Sequence, residues 1–389
     1  MMKKSGTNST NMKLDNRRLI LSIIRKNPIS RAELARKTGL TRATVTLLID
    51  EMVNIGIVME TVTARADFGR KPVLLDLNPS SYYIVGVYIS REGCSVGVVN
   101  IKGELLLQHE AEFEVKSNFD ENINNIIEGI KKVMADSGLA EDKLLGIGVS
   151  SPGPVDINNG IILNPPNFDA WHNMNIVGEL KKTFQLDIFL DNNASSLTLA
   201  EKNYGRGVEF SNFMLMVVDT GIGAGIIIND KLYRGVGGFG SEIGHTSIDL
   251  NGRVCNCGNI GCIEAYASMP AVISDIQQYD KSIKSWKQVI DKASEGDKFC
   301  AETIIKEARY LSVGIVNVMN LLELEAIILT GDISYKSKLL IDKISEDVNN
   351  FAITRNIHKF QVLNSPIKEE SKVVSAAAII LEKFFRGEI

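Results

Sequence analysis

GSEIGHTSIDLNGRVCNCGNIGCIE, residues 240–264, is the most informative stretch of this 389-residue chain. It sets His245 ten positions before Cys255, with Cys257 and Cys262 following. Three thiols and one imidazole form a closed tetrahedral set with no place for a reacting water, the pattern of a structural zinc site. The Gly-rich spacers let the chain fold tightly around an ion. The plainer alternative is a buried cysteine cluster without metal. Glu242 and Glu264 are tied by sequence to this knot. Carboxylates held on a rigid support are good acceptors for sugar hydroxyls, although either one alone also reads as a solvated acid or a helix N-terminal charge.

Upstream, DTGIGAG (219–225) lies between two strand-like runs. Such loops present N–H groups to anions or sugar oxygens, and tight turns use the same glycines. Around it the chain alternates strands and helices. Strands are expected at 82–89, 94–101, 104–111, 144–150 and 187–190, with helices at 120–136, 173–184 and 194–204. The order then resumes with strands at 213–218, 224–229 and about 245–250. Strand 325–330, helix 335–350, strand 360–364 and helix 370–384 close the chain. Two consecutive βββαβαβα-like halves imply duplication at the level of topology. Halves of this kind face each other across a cleft, a common ligand site.

The N-terminal end reads differently. Residues 1–13 are polar and expected to be unstructured. A helix is expected at 15–26, and Ser30 with Glu33 forms a capping box for a short helix at 31–38. Gly39 ends that helix, and Thr41 caps a third helix at 42–54 whose Val45, Ile49 and Met52 make one apolar stripe. IVMETV and PVLLDL then form a hairpin around the basic tip ARADFGRK. This is a winged helix-turn-helix, joined to the body at Asn78–Pro79. Its third helix would enter the major groove, offering Arg42, Ala43, Thr44, Thr46 and Leu47 to bases or phosphates, while Arg65, Arg70 and Lys71 on the wing grip backbone or minor groove. A small packing domain with a solvated basic face is the alternative.

Charge favours DNA. Residues 1–80 carry 14 Lys and Arg against 7 Asp and Glu, whereas the remainder carries 29 against 40. A basic head on an acidic body suits a polyanionic partner for the head. The first residues lack the apolar core of a signal peptide, no run of about 18 apolar residues suggests a membrane span, and clustered cysteines suit a reducing compartment, so a cytoplasmic protein is expected.

These motifs together resemble the ROK family of repressors, open reading frames and kinases. The resemblance runs through the head, GRKP (69–72), SPGPVD (151–156), the PN…W stretch (166–171), GIGAG (221–225), GSEIGH (240–245) and CNCGNIGCIE (255–264). Its xylose-repressor branch is the most similar, through LYRGVGGFGSEIGH (232–245). The resemblance implies an α/β fold: an N-terminal winged helix-turn-helix followed by a duplicated, actin-like, sugar-kinase-like (ribonuclease H-like) body of two lobes. The expected domains are 1–78, 79–204 and 205–389, the last with the zinc motif. It also implies a monosaccharide on Asn167, Asn192, Glu242, His245 and Glu264, with His245 touching sugar and zinc through different ring nitrogens, and Asn193 beside them.

Departures from the family pattern bear on activity. Kinases of the family carry an Asp-x-Gly-Gly-Thr phosphate loop where this chain has Tyr88-Ile89-Ser90-Arg91-Glu92. Their general base is the Asp of Glu-Asn-Asp-Ala-Asn, where residues 191–195 here read Asp-Asn-Asn-Ala-Ser. That puts Asn193 at the base position, and an amide cannot take up the proton of an attacking hydroxyl. A late Gly-Gly is altered to Thr330-Gly331-Asp332. The leading expectation is a non-enzymatic, sugar-responsive repressor that binds operator DNA as a homodimer or higher homo-oligomer and is released by a monosaccharide, xylose first. The alternatives are an ATP-dependent glucose or N-acetylglucosamine kinase with a DNA-binding head, and a scaffold whose pocket no longer binds sugar.

Overall fold

The computed structural model describes residues 9–62, 73–113, 118–166, 168–367 and 372–389. The head begins with α1 (Ser9–Ile24), so residues 9–13, expected to be unstructured, already belong to a helix. Ion pairs from Lys13 and Arg17 to Glu51 fasten that helix to the head. Then come β1 (Ile29–Ser30), α2 (Arg31–Thr38), α3 (Arg42–Asn54), β2 (Val58–Val62) and β3 (Val73–Leu77). The caps fall where local chemistry puts them. Ser30 accepts from the Glu33 N–H, Gly39 is left-handed at φ 72°, and Thr41 accepts from the Thr44 N–H. The Glu33 carboxylate meets the Ser30 hydroxyl at 3.2 Å. Val45, Leu48, Ile49 and Met52 of α3 are buried. The sheet order β1-β3-β2 completes a winged helix.

The body continues with β4 (Tyr83–Ile89), β5 (Gly93–Asn100), β6 (Leu105–Glu112), α4 (Phe119–Ser137), β7 (Leu144–Ser151), β8 (Val155–Asp156), β9 (Ile161–Ile162), α5 (Ile176–Lys181), β10 (Ile188–Asn192) and α6 (Asn193–Tyr204). Next are β11 (Phe213–Val218), β12 (Ile222–Ile228), β13 (Lys231–Tyr233), α7 (Glu264–Ala267), α8 (Met269–Ile276), α9 (Trp286–Ser294) and α10 (Lys298–Leu322). The chain ends with β14 (Ala326–Thr330), α11 (Lys338–Phe351), β15 (Gln361–Asn364) and α12 (Lys372–Arg386). One five-stranded sheet has the order β10-β7-β4-β5-β6 and the other β13-β12-β11-β14-β15. Ranked within its own half, each sheet reads 3-2-1-4-5, so the duplication is one of topology. In each, the first strand pairs antiparallel with the second and parallel with the fourth.

Two expectations need correction. The segment near 245–250 is no strand: residues 243–245 form a short 3-10 turn, and Ser247 then makes an isolated bridge to Cys262. The path lies within the His245–Cys262 knot, where the Ile263 N–H donates to the Thr246 carbonyl. The helix expected at 173–184 shortens to Ile176–Lys181.

The chain forms two compact units. One comprises Met1–Ser150, Val177–Phe189 and Ala376–Ile389, the other Ser151–Ile176 and Leu190–Ser375. The head belongs to the first unit because it is pinned there. Lys102 pairs with Asp76 at 2.9 Å, Arg18 donates to the Gly387 carbonyl at 3.2 Å, and the Arg25 guanidinium lies 5.2 Å from the Phe385 ring centre. Helix α6 belongs to the second because β12 is glycine-faced. A Cβ on Gly225 would lie 2.1 Å from Thr198 Oγ1, and one on Gly223 3.2 Å from the Ala194 Cβ.

The second unit buries one acid without compensation. Glu307 of α10 is 1% exposed, and neither carboxylate oxygen has a hydrogen-bond partner among the described residues. Burial drives its pKa well above the ordinary value, with Asp275 adding to the rise and Lys306 opposing it. The fold therefore favours the neutral acid. Its stabilising share is present below the unfolded pKa and is lost as pH rises through the folded one. Glu307→Gln is expected to raise stability at alkaline pH, with the gain shrinking as pH falls. Denaturant titrations across pH check this, and a pH-independent difference would contradict it.

Candidate functional site

The knot after β13 is built by tight turns. Gly258 and Gly261 are left-handed at φ 90° and 75°, and a Cβ on Gly261 would lie 1.8 Å from the Asp249 carbonyl. Cys255 N–H donates to the Asn259 carbonyl at 2.8 Å, and Ile263 N–H to Thr246 at 3.1 Å. Arg253 clamps the outside, gripping both Asp275 oxygens at 2.9 and 2.8 Å and stacking 4.8 Å from the Tyr266 ring centre. The ligand atoms of His245, Cys255, Cys257 and Cys262 all lie within 4.8 Å of one another. Cys257 Sγ is 3.7 Å from Cys262 Sγ, and His245 Nδ1 is 3.7 Å from Cys255 Sγ. Metal–sulfur bonds of ~2.3 Å in a tetrahedron separate the sulfurs by ~3.8 Å, so the set fits a structural metal. Burial, with hydrogen bonds from Cys257 and Cys255, pushes the Cys262 thiol up to about 12. A divalent cation is what would stabilise three adjoining thiolates.

The two glutamates sit at the two ends of this knot. Glu264 opens α7, and its Oε2 accepts from the Ile222 N–H at 2.8 Å. Gly221 makes room for that approach, since a Cβ there would stand 2.8 Å from the same oxygen. Glu242 precedes the short turn carrying His245 and is open to solvent. Protein packed around its carboxyl still raises its pKa: burial is the main cause, His245 opposes it and Glu264 adds to it. The GIGAG glycines thus serve close packing and the seating of Glu264, where the sequence also allowed an anion cradle.

Asn192 ends β10 and caps α6, its Oδ1 accepting from the Ser195 N–H at 2.7 Å. Its Cβ lies 3.4 Å from where a Gly153 Cβ would stand, so the SPGPVD segment approaches it closely. Asn193 is half-buried at the first position of α6. The structure thereby brings Asn192, Asn193, Glu242, His245 and Glu264 into one unit, while Asn167 lies outside the described residues. Sequence reasoning missed one contact, the ion pair of Arg234 with Asp191 at 2.5 Å, because no local pattern links residues that far apart.

The β4–β5 turn is closed on itself. Ser90 N–H donates to the Gly93 carbonyl at 2.8 Å, and the Glu92 N–H to Ser90 Oγ at 3.2 Å. In the late stretch, Gly331 is left-handed at φ 94°, and a Cβ there would come 2.5 Å from the Val218 carbonyl. In the head, Arg42, Ala43, Thr46 and Leu47 are exposed on α3, whereas Thr44 is half-buried with its hydroxyl 2.9 Å from that of Thr41. Arg65, Arg70 and Lys71 lie outside the described residues.

Residues 84–383 match the model of the ROK family. The chain belongs to the ROK family. Residues 13–59 match a winged helix-turn-helix DNA-binding domain. This ROK chain is 30% identical over 388 residues to the xylose repressor of Caldicellulosiruptor bescii, covering 96% of this chain and 97% of that one. It is also 30% identical over 314 residues to the glucokinase of Thermotoga maritima, covering 77% of this chain and 98% of that one. A solved ROK family transcriptional regulator, a homologue of the E. coli MLC protein, shares the fold with a TM-score of 0.82 over 97% of both chains at 24% identity. The ROK chain stands with the regulators of the family, the xylose repressor and the solved regulator matching it along nearly its whole length, the winged helix included.

Elemental analysis is expected to find about one thiophilic divalent ion per chain. Cys257→Ser should lower the melting temperature of untreated protein and change little in protein already stripped by chelator. Equal melting of stripped and untreated wild type would show that the four side chains hold no ion.

Proposed function

We propose that this ROK regulator is a sugar-responsive repressor. Its winged helix binds operator DNA as a symmetric homodimer, and a monosaccharide on Asn167, Asn192, Asn193, Glu242, His245 and Glu264 releases it. Zinc on His245, Cys255, Cys257 and Cys262 fixes the two carboxylates. No catalysis is involved. The observation that carries the reading is the company Glu264 keeps: one oxygen is held by the Ile222 N–H, leaving the other to accept a hydroxyl. Amide and carboxylate groups together suit a neutral sugar, and xylose comes first by kinship to a protein called xylose repressor. Arg42, Ala43, Thr44 and Thr46 on α3, with Arg65, Arg70 and Lys71 on the wing, meet the DNA. Among the described residues no helix is long and apolar enough to cross a membrane.

Coupling has a physical route. Helix α12 starts where Ser375 Oγ lies 3.4 Å from Ser196 Oγ, and Ser196 bonds the Asn193 carbonyl at 3.0 Å. The helix ends beside α1, at the Arg18 and Arg25 contacts. A movement driven by sugar would reach the head through the short Asn78–Pro79 joint. A dimer must hold its recognition helices about 34 Å apart to read adjacent turns, and a rigid-body shift of a few ångströms breaks that match. The link is reciprocal, so operator should weaken sugar binding by the same factor.

Titrating operator-bound protein with xylose, glucose and N-acetylglucosamine tests this. Release by xylose at a concentration where the others do nothing is expected, and Glu264→Ala should abolish the response while keeping operator binding. Tighter DNA binding with sugar would reverse the sign of the proposal.

The likeness to a glucokinase supports a second reading, a kinase carrying a DNA-binding head. Incubation with ATP and the same sugars separates the two. No ADP above background is expected, because Asn193 stands where a base is needed and the Ser90 and Glu92 N–H groups are already bonded within their own turn. Clear turnover would favour the kinase.

A further inference from the structure

Asp191 is 2% exposed at the end of β10, immediately before Asn192 and Asn193. One of its oxygens accepts from the Asn192 N–H at 2.9 Å, which shapes the turn into α6. The other meets Arg234 Nη1 at 2.5 Å. Arg234 follows β13 and opens the loop Gly235–Gly240. That loop is pinched shut at its base. Gly240 N–H donates to the Arg234 carbonyl at 3.1 Å, and a Cβ on Gly235 would lie 3.3 Å from Gly240 N. Ser241, left-handed at φ 75°, and Glu242 follow directly. A single residue therefore ties the turn that leads into the two amides, through its side chain, and the approach to Glu242, through its carbonyl.

We infer that Arg234 is the positioning residue of the sugar site: by bridging Asp191 to the base of the 235–240 loop it sets Asn192 and Asn193 in register with Glu242 for a neutral monosaccharide. This rests on the sugar-sensing reading above. The physical ground is that a guanidinium meets a carboxylate with directional, charge-assisted bonds. Taking the guanidinium away from a buried carboxylate is unfavourable, so the turn that Asp191 shapes would rearrange. Arg234 itself would touch no sugar. Its effect would fall on affinity for the effector and leave the head alone.

Calorimetry with xylose, glucose and N-acetylglucosamine on the full chain tests the inference, using wild type, Arg234→Gln, Arg234→Lys and the double variant Asp191→Asn/Arg234→Gln. Operator binding without sugar and melting temperature are measured in parallel. Arg234→Gln is expected to weaken the sugar that wild type binds by about 10–100-fold, the range seen when an outer support of a site is lost. Arg234→Lys, which keeps the charge but not the fork, should recover part of it. The double variant should also recover part, because no buried carboxylate is then left without its guanidinium. Operator affinity should be unchanged throughout. Wild-type affinity in Arg234→Gln overturns the inference and leaves sugar sensing intact. Equal losses in all three variants, together with weaker operator binding, mark a merely structural pair and overturn it as well. A wild type that binds none of the three sugars overturns the sugar-sensing reading itself.

Discussion

The knot of His245, Cys255, Cys257 and Cys262 is the constraint on which the rest of the site depends. Residues 240–263 contain no regular strand or α-helix that could hold them. Their backbone is instead held by turns, two isolated bridges and the convergence of four ligand atoms. Glu242 lies just before the knot and Glu264 just after it, so whatever fixes the knot fixes both carboxylates. The outside of the knot is clamped by Arg253 on Asp275 and on the Tyr266 ring. The inside is tied to the sheet by the Ile222 N–H on Glu264. A metal bound there would let an irregular segment hold its shape without a core of its own.

Glycines set the second limit. Gly223 and Gly225 let α6 lie directly on β12, and Gly244 comes so close that a Cβ would sit 2.1 Å from the Ile222 carbonyl. These approaches bring the Asn192–Asn193 turn, the first residues of β12 and the knot into one body. The same stretch can look like a phosphate cradle in sequence because phosphate loops and close-packed backbones need the same residue, one without a side chain.

Fold alone leaves the function open, since solved sugar kinases and a solved transcriptional regulator share this architecture. This chain carries a winged helix ahead of that body, a β4–β5 turn in which the Ser90 and Glu92 N–H groups are already bonded, and an amide at 193. The head is also more than a tethered appendage. Arg18 of α1 and Arg25 just after that helix reach the C-terminal end of the chain, at Gly387 and Phe385, and Asp76 of β3 reaches Lys102. Contacts at both ends of the head make its orientation depend on the body beneath it.

The sequence by itself determined what is local. Ser30, Gly39 and Thr41 mark the helix ends of the head because capping is a matter of a few neighbouring residues. The apolar stripe of α3 and the strand runs of both halves follow from periodicity, and the ligands at 245, 255, 257 and 262 follow from spacing. Only the tertiary structure decided what depends on residues distant in the chain. Arg234 meets Asp191 across 43 positions, and Arg18 meets Gly387 across 369. The segment near 245–250 carries strand-like residues, yet its path lies within the His245–Cys262 knot rather than in a ladder. The glycines of GIGAG show the same division: their positions were plain in the sequence, but that Gly223 and Gly225 lie against α6 and Gly221 against Glu264 was seen only in the structure.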